Sequence, residues 1–536
     1  MTGQRPGFLW REAMLAAAAA ASLAAVLLWF GPPGNDLAAH LYQRALFLEH
    51  GFVLWNNFWY AGRYSFIGYS VLYYPLSAVL GIKVLALASI AAAALAFAVV
   101  VGREWGPAAR WSGRTFAVVW AGTVLSAAFP FALGAAFALL ALWAVQQGSR
   151  ARFAILVMLT LAASPLAFAF LVVVLTGILL TRRYAWRGVV FPVVAVGAAG
   201  LVELLVARLF ADGSRFPFHA AELVPAAAFC GLGALVSTRC GRPLRGVYLV
   251  YLGSCLLAYA VPTALGSNIE RLRYAAIPLA VLSASVAGWR PLKLALPLLA
   301  VAAFWNVSPL VANFRHAAAD PAGTTTYWQP AIRFLHGRLR PAYRVEAVDT
   351  LEHWPAAFLP ARGIPIVRGW YRQNDFPANA ILYGGFGPVA YRRWLRALGV
   401  RFVVLSDAPS DYSSRAEAAL LRRGVAGLRP VFRDRHVIVY ELEAATPLVI
   451  GPAPATVRRM LPTRLFLDVA AAGDYYVAVR FSPYWRTFQG CVAPGRDGMI
   501  RLTAFHPGVV DLDFKVNVHR AVEVLTGREP TRFCRG

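Results

Sequence analysis

The sequence predicts a polytopic α-helical membrane protein that carries a C-terminal exterior region, built from a small α/β unit and a β-sandwich. Three observations predict it. The 536 residues are 59% hydrophobic and only 15% charged, and the apolar residues gather in long uninterrupted stretches that no soluble core needs. Arginine clusters alternate with arginine-poor connections between those stretches. Beyond about residue 313 the apolar runs shorten, charge rises and turn residues recur at regular intervals.

The first apolar stretch, 13–31, is long for the core of a signal peptide, has no convincing small-residue cleavage site and is followed by further spans, so it reads as a retained anchor. Further spans fit near 82–102, 115–130, 131–147, 153–164, 165–181, 188–210, 223–238, 246–265, 274–288 and 293–312, giving about eleven. Several are short for an upright crossing. The pair meeting at Ser164 and Pro165 reads as one kinked helix or as two half-helices meeting at a loop. Charge arbitrates. The clusters at 103–114, Arg150 with Arg152, Arg182 and Arg183 with Arg187, Arg239 with Arg242 and Arg245, and Arg290 with Lys293 belong in the cytoplasm. The Ser164-Pro165 break then becomes a turn at the outer face, and residues 32–81 lie outside together with everything after about residue 313. The stretch 64–80 is a second interfacial or re-entrant element on this topology, with a further span as the alternative.

Three domains follow: 1–312 in the membrane, 313–444 as an exterior α/β domain and 445–536 as an exterior β-sandwich. In the second, 343–348, 363–367 and 400–405 read as buried strands, and 326–339, 388–398 and 414–423 as helices. In the third, short strands such as 475–481 alternate with Pro and Gly turns. The Gly384-Gly385-Phe386-Gly387 run precedes a helix but lacks a preceding strand and nucleotide-binding spacing, so it reads as a turn. The net charge of +26 does not indicate nucleic acid, because the arginines are spread through loops and form no recognisable binding motif. Membrane topology and anionic lipid head groups account for much of it.

The segment after the first span carries the chemistry. Asp36, His40 and Arg44 fall four residues apart, so a helix there lines an acid, an imidazole and a guanidinium along one edge. Pro32, Pro33, Gly34 and Asn35 open it as a break and an N-cap, while Leu37, Leu41, Ala45 and Leu48 form the opposite, apolar side. Such a helix lies flat on the bilayer and turns Asp36 toward water or a head group; the plain alternative is the polar side of an interfacial helix with no further role. Gly51 to Trp55 follow, then Tyr60, Ala61 and Gly62, then Leu72, Tyr73, Tyr74, Pro75 and Leu76 ahead of the next span.

This order resembles the GT-C superfamily of membrane glycosyltransferases. Its loosely kept pattern has an Asp and a His in the first outer loop, then a Gly and a Trp, then a Tyr-Pro-Pro-Leu-like element before the second span. Here Leu76 directly follows Pro75, so one proline is missing. The chain is most similar in style to actinobacterial integral membrane proteins of this superfamily that carry an extracellular C-terminal domain. The likeness covers roughly the first 310 residues well and the rest only in general style. It implies a bacterial plasma-membrane enzyme of cell-envelope or cell-wall biogenesis. Such an enzyme moves a sugar from a polyprenyl-phosphate donor to an extracytoplasmic glycan, lipid or protein, since nucleotide sugars are confined to the cytoplasm. On this reading Asp36 is the general base, His40 holds or polarises it, and Arg271 clamps the donor phosphate, helped by Arg215, Arg63 or Arg44. Some members of the family add a divalent metal. A lone Asp with one nearby His supplies too few ligands to predict one, and no cofactor is otherwise implied.

Two other outer connections add candidates. Arg215 and His219 sit among Phe216, Pro217 and Phe218, and the run 266–273 presents Arg271 and Arg273 after a Gly-Asn turn. A fork-shaped cation suits a lipid phosphate; ordinary snorkelling at a helix end is the alternative. Glu203 is the clear intramembrane carboxylate, either packing against Arg208 or lining a polar cavity. In the exterior region His353, Trp354, Trp370, Tyr371, Arg372, Asn374 and Asp375 form an aromatic and polar set. Trp370, Tyr371 and Trp485 are candidates to stack on sugar rings, although a Pro-Tyr-Trp cluster such as 483–485 more often closes a sandwich edge. Cys491 and Cys534 both belong to the exterior domain and suit a disulfide, with free thiols as the alternative; Cys230 and Cys255 lie in spans and Cys240 in a cytoplasmic loop. Two other classes compete: a transporter or flippase for a lipid-linked glycan, and a GT-C-like subunit without catalysis. No half-to-half similarity supports the first.

Overall fold

A computed structural model describes residues 6–182, 186–237 and 241–527. Arg183, Arg239, Cys240 and Cys534 lie outside the described residues. The chain divides into two compact units. The first comprises residues 1–37, 68–204 and 215–319; the second comprises 38–67, 205–214 and 320–536.

The first unit is helical. Six helical stretches are long and apolar enough to cross a membrane: Gly7–Phe30, Ile82–Ser126, Phe129–Gln146, Gly188–Leu209, Arg242–Ala260 and Leu292–Ala319. Shorter apolar helices occupy Arg150–Ala163, Pro165–Thr181, Ala220–Val236 and Ala276–Val286. Helices therefore lie where apolar spans are expected, and six of the described stretches reach crossing length; the long Ile82–Ser126 stretch turns at Gly106, where φ is 60°. The break at Ser164 is a true helix boundary. Its backbone is extended, its side chain accepts from the Ala167 N–H at 3.2 Å, and Pro165 supplies the first position of the next helix, where its missing N–H costs nothing. The stretch before the second long helix does not span. Tyr73–Leu80 is an eight-residue helix, about 12 Å long at 1.5 Å per residue against the roughly 30 Å of a hydrocarbon core. The last helix of the unit runs to Ala319, seven residues past the expected boundary at 312.

The second unit holds the helix Leu37–His50 from Ala38 onward, and its strands are β1 (Trp55–Asn56), β2 (Arg63–Tyr64), β3 (Arg344–Ala347), β4 (Val400–Ser406), β5 (Leu428–Arg433), β6 (Val437–Leu442), β7 (Val449–Ile450), β8 (Ala455–Leu461), β9 (Arg464–Val469), β10 (Gly473–Arg480), β11 (Trp485–Arg486), β12 (Gly490–Pro494), β13 (Met499–Ala504) and β14 (Gly508–Phe514). The α/β part is a four-stranded sheet in the order β3-β4-β6-β5, with β3 and β4 parallel and the rest antiparallel. Helices Thr325–Arg338, Pro388–Ala397 and Arg415–Arg423 accompany it. The expected strand at 363–367 reduces to one bridge between Val345 and Ile366. The sandwich part consists of two four-stranded sheets, β12-β13-β10-β7 and β11-β14-β9-β8. Along β9 alternate residues Leu465, Leu467 and Val469 are buried, the period-two pattern of a strand with one face on a core.

Candidate functional site

Asp36 and Arg271 form an ion pair in the first unit, across 235 residues of sequence. Local structure aims both. After the first helix ends at Phe30, the chain turns through Gly34, which lies so close to the backbone around Val124 that an added Cβ would sit 2.4 Å from the Val124 carbonyl oxygen and 2.5 Å from the Ala127 nitrogen. The Asp36 N–H then donates to the Ser126 carbonyl at 3.0 Å, fixing the residue just before the next helix begins. Arg271 lies on a ten-residue 3-10 stretch, Gly266–Ala275, where a simple turn was expected. Gly266, at φ 38°, packs against the Phe216 carbonyl, and the Tyr251 hydroxyl donates to the Ile269 carbonyl at 2.7 Å.

From that stretch Arg271 Nη2 donates to Asp36 Oδ2 at 3.0 Å, with the two side chains 15% and 14% exposed. The guanidinium also lies 5.8 Å from the centre of the Phe131 ring. Burial pulls its pKa down, but the Asp36 charge, helped by Tyr69 and Tyr274, outweighs burial and raises it above the ordinary arginine value. The pair is thus a carboxylate held beside a permanently charged fork whose geometry also suits a phosphate.

The same stretch carries a carboxylate that sequence reasoning passed over. Arg273, expected to snorkel or to bind phosphate, pairs with Glu270 at 3.3 Å, and its carbonyl accepts from Asn306 Nδ2 at 2.6 Å. Burial pushes the Glu270 carboxyl up to about 7; Arg273 opposes and Glu222 reinforces that shift. Glu222 accepts from the His219 N–H at 2.8 Å and lies 2.7 Å from Ser267 Oγ. The i, i+3 spacing of Glu270 and Arg273 was the available signal. Arg215 is exposed.

Of the other predicted residues, Glu203 lies in the first unit, on the helix Trp186–Leu209, and His40, Arg44, Arg63, Trp370, Tyr371 and Trp485 fall in the second. On the helix Leu37–His50 the apolar side expected to lie on the bilayer is outward, with Leu41 and Leu48 40% and 56% exposed, whereas His40, expected on the polar edge with Asp36, is fully buried, as is Gln43. An apolar outward face suits lipid contact, and the polar side is turned into protein. Arg44 is half-buried. Arg63, on β2, is buried and its guanidinium lies 3.9 Å from the centre of the Tyr371 ring. Tyr371 is itself buried, its carbonyl accepting from the Tyr60 hydroxyl at 2.9 Å, and Trp370 is half-buried edge-on to it. Trp485 is buried in the sandwich core, edge-on to Trp55 and Phe514 at 5.8 and 5.6 Å. Tyr371 and Trp485 therefore present no open face for a sugar ring, and Trp485 closes the core instead.

Behind the predicted aromatic set lies a buried charge network. Arg368, 2% exposed, donates to both carboxylate oxygens of Asp375 and to Ser413 and Ser414. Arg372 pairs with Asp349 at 3.1 Å and with Asp411 at 2.8 Å, and His353 Nδ1 lies 2.6 Å from Asp349. Cys491 is disulfide-bonded; its predicted partner Cys534 lies outside the described residues. Among the described residues, no group of three or more His, Cys, Asp or Glu side chains gathers that could hold a metal ion.

No family model and no curated protein matches the sequence. Among solved structures, the chain is similar to the arabinofuranosyltransferase AftD from Mycobacteria, at 17% identity and a TM-score of 0.48 over 86% of this chain, and it spans about two fifths (41%) of that protein's length. It is also similar to the oligosaccharyltransferase of Archaeoglobus fulgidus, at 11% identity and a TM-score of 0.32, covering 80% of this chain and 73% of that one. Likenesses of this size carry no functional argument, which rests on the residues described above.

Proposed function

We propose that this chain is a membrane glycosyltransferase that moves a sugar from a polyprenyl-phosphate carrier to an extracytoplasmic glycan, lipid or protein acceptor. The observation that carries the reading is the Asp36–Arg271 pair, a base and a phosphate-shaped cation brought together from two connections of a helical membrane unit. In the resting pair the Arg271 guanidinium faces the Asp36 carboxylate at 3.0 Å. An arriving phosphate competes for the guanidinium, and Asp36 is released toward the acceptor hydroxyl.

The acceptor O–H proton then passes to Asp36 while the acceptor oxygen bonds to the anomeric carbon. The bond from that carbon to the phosphate oxygen breaks, and its electron pair stays on the phosphate, whose charge Arg271 offsets. Proton, bond and charge balance within these groups. His40 and Arg44 have no assigned step.

The test is transfer of radiolabelled sugar from a polyprenyl-phosphate donor in proteoliposomes. Wild-type transfer that Asp36→Asn abolishes supports the reading; transfer unchanged by Asp36→Asn removes Asp36 from the mechanism. Absence of wild-type transfer with every donor tried, together with movement of a lipid-linked glycan across the bilayer, assigns the chain to the flippase class.

A further inference from the structure

The second unit holds a half-open cavity of about 210 Å³ lined by Trp55, Tyr60, Arg63, Tyr64, Asn374 and Arg480 among others. One water needs roughly 10–15 Å³, so the space takes a small organic ligand. Two of its lining side chains are more than nine-tenths buried and carry polar atoms without a hydrogen-bond partner among the described residues. They are Arg63, 8% exposed, with Nε and Nη1 unanswered, and Asn374, 6% exposed, with Oδ1 unanswered.

Each orphan has a reason to stay where it is. The Arg63 guanidinium is held against the Tyr371 ring at 3.9 Å, and that residue is anchored by the hydroxyl of Tyr60. A cation on an aromatic face keeps its edge N–H groups available. Asn374 is oriented by its own amide: Nδ2 donates to Asp212 Oδ2 at 2.7 Å and to Ser214 Oγ at 2.8 Å. A carboxylate only accepts, so the nitrogen must face Asp212 and the oxygen is left as an acceptor. Arg480 differs. It donates to the carbonyls of Tyr60 at 3.0 Å and Ala378 at 3.2 Å, which makes it part of the wall.

We propose that this cavity is a binding site for an anionic sugar, one bearing a carboxylate or a phosphate. Arg63 anchors the anionic group, Asn374 Oδ1 accepts from a ring hydroxyl, and Trp55 and Tyr64 supply the apolar wall that sugar C–H groups require. A neutral sugar answers the acceptor and leaves the buried fork unpaired, which is the basis of the selectivity. Arg63 is thereby reassigned from donor-phosphate binding to a site of its own, tested independently of the transfer reaction.

The experiment uses the full chain in detergent micelles, with tryptophan fluorescence and calorimetry as readouts and glucose 1-phosphate, glucuronate and glucose as probes. At least one anionic probe binds, and glucose binds on the order of tenfold more weakly or worse. Binding of the phosphate alone or of the uronate alone identifies which anion the site takes. Arg63→Gln loses on the order of tenfold in affinity for the anion and Asn374→Ala loses severalfold, while Arg63→Lys keeps part of the affinity, each with the wild-type melting profile as the check on folding. Failure of both anions to bind wild type overturns the proposal, as does equal binding of glucose. Undiminished binding by a folded Arg63→Gln or Arg63→Lys variant that has lost the fork overturns it as well.

Discussion

Asp36→Asn keeps the shape of the side chain and removes its charge, leaving the Arg271 guanidinium, 15% exposed, without its counterion. Removing one partner of a buried ion pair costs roughly 3–5 kcal/mol, and the residual exposure on both sides places this pair near the lower end, about 3 kcal/mol. Arg271→Gln has a similar effect from the other side. The double variant Asp36→Asn with Arg271→Gln has no orphan charge, so its stability returns to within about 1 kcal/mol of wild type. Activity behaves differently if Asp36 is the base. Loss of a positioned general base removes about 10²- to 10⁴-fold in rate, and restoring charge neutrality does not restore a proton acceptor. Stability is read from thermal unfolding in detergent, and activity from transfer of labelled sugar. A double variant that regains transfer together with stability refutes catalysis by Asp36 and leaves the pair as scaffold alone.

Further outcomes follow from other residues. Gly34→Ala places a Cβ 2.4 Å from the Val124 carbonyl oxygen; the backbone must shift, stability falls by roughly 1–3 kcal/mol and transfer falls with it, whereas an unchanged melting temperature sinks the close-approach argument. Glu270, with its carboxyl pushed up to about 7, binds a proton more tightly folded than unfolded. The stability this contributes is fully present below about pH 4.5 and is lost as pH rises through 7, on the order of 3 kcal/mol in total. The stability advantage of Glu270→Gln over wild type therefore widens from pH 5 to 8, and a pH-independent difference in unfolding temperature contradicts it. Arg368→Met leaves Asp375, 1% exposed, with only the longer 3.4 Å contact to Arg372 as a charged partner; a loss of roughly 3 kcal/mol exposes the second unit to limited proteolysis, and resistance equal to wild type argues that Arg372 alone satisfies the network.

Long-range order was legible where one physical signal dominates. Helices of the first unit follow from apolar length, and the Ser164-Pro165 boundary from a capping hydroxyl followed by the one residue that needs no N–H. Asp36 and Arg271 were readable as complementary charges on two connections assigned to the same side, although nothing in the sequence gives their distance. The network around Arg368 was not readable. Its acids come from three separate places in the chain, the loops at Asp349 and Asp411 and the short helix Arg372–Ala378 at Asp375, and no spacing rule links them. The hairpin of β5 and β6 was also missed, because Pro430 and the charged run 433–436 interrupt the alternation that marks a strand pair.

The burial of His40 and Gln43 on the helix Leu37–His50 follows from what surrounds that helix. Amphipathic reasoning points polar residues outward when the outside is water. Here Leu41 and Leu48 are outward while His40 and Gln43 are buried, and Gln43 Oε1 accepts from Ser65 Oγ at 3.1 Å. A membrane-side helix inverts the rule, because an apolar surround leaves polar groups only the protein interior in which to find partners. The same logic separates the arginines of this chain. Those with a carboxylate partner, Arg271, Arg273, Arg368 and Arg372, are accounted for by charge pairing, whereas Arg63, held on an aromatic ring, and Arg344, held by backbone carbonyls, are buried with two donors each unanswered among the described residues. A buried guanidinium in that condition is costly to the fold by itself, and of the two only Arg63 lines the cavity of the second unit, where a ligand can supply the missing acceptors.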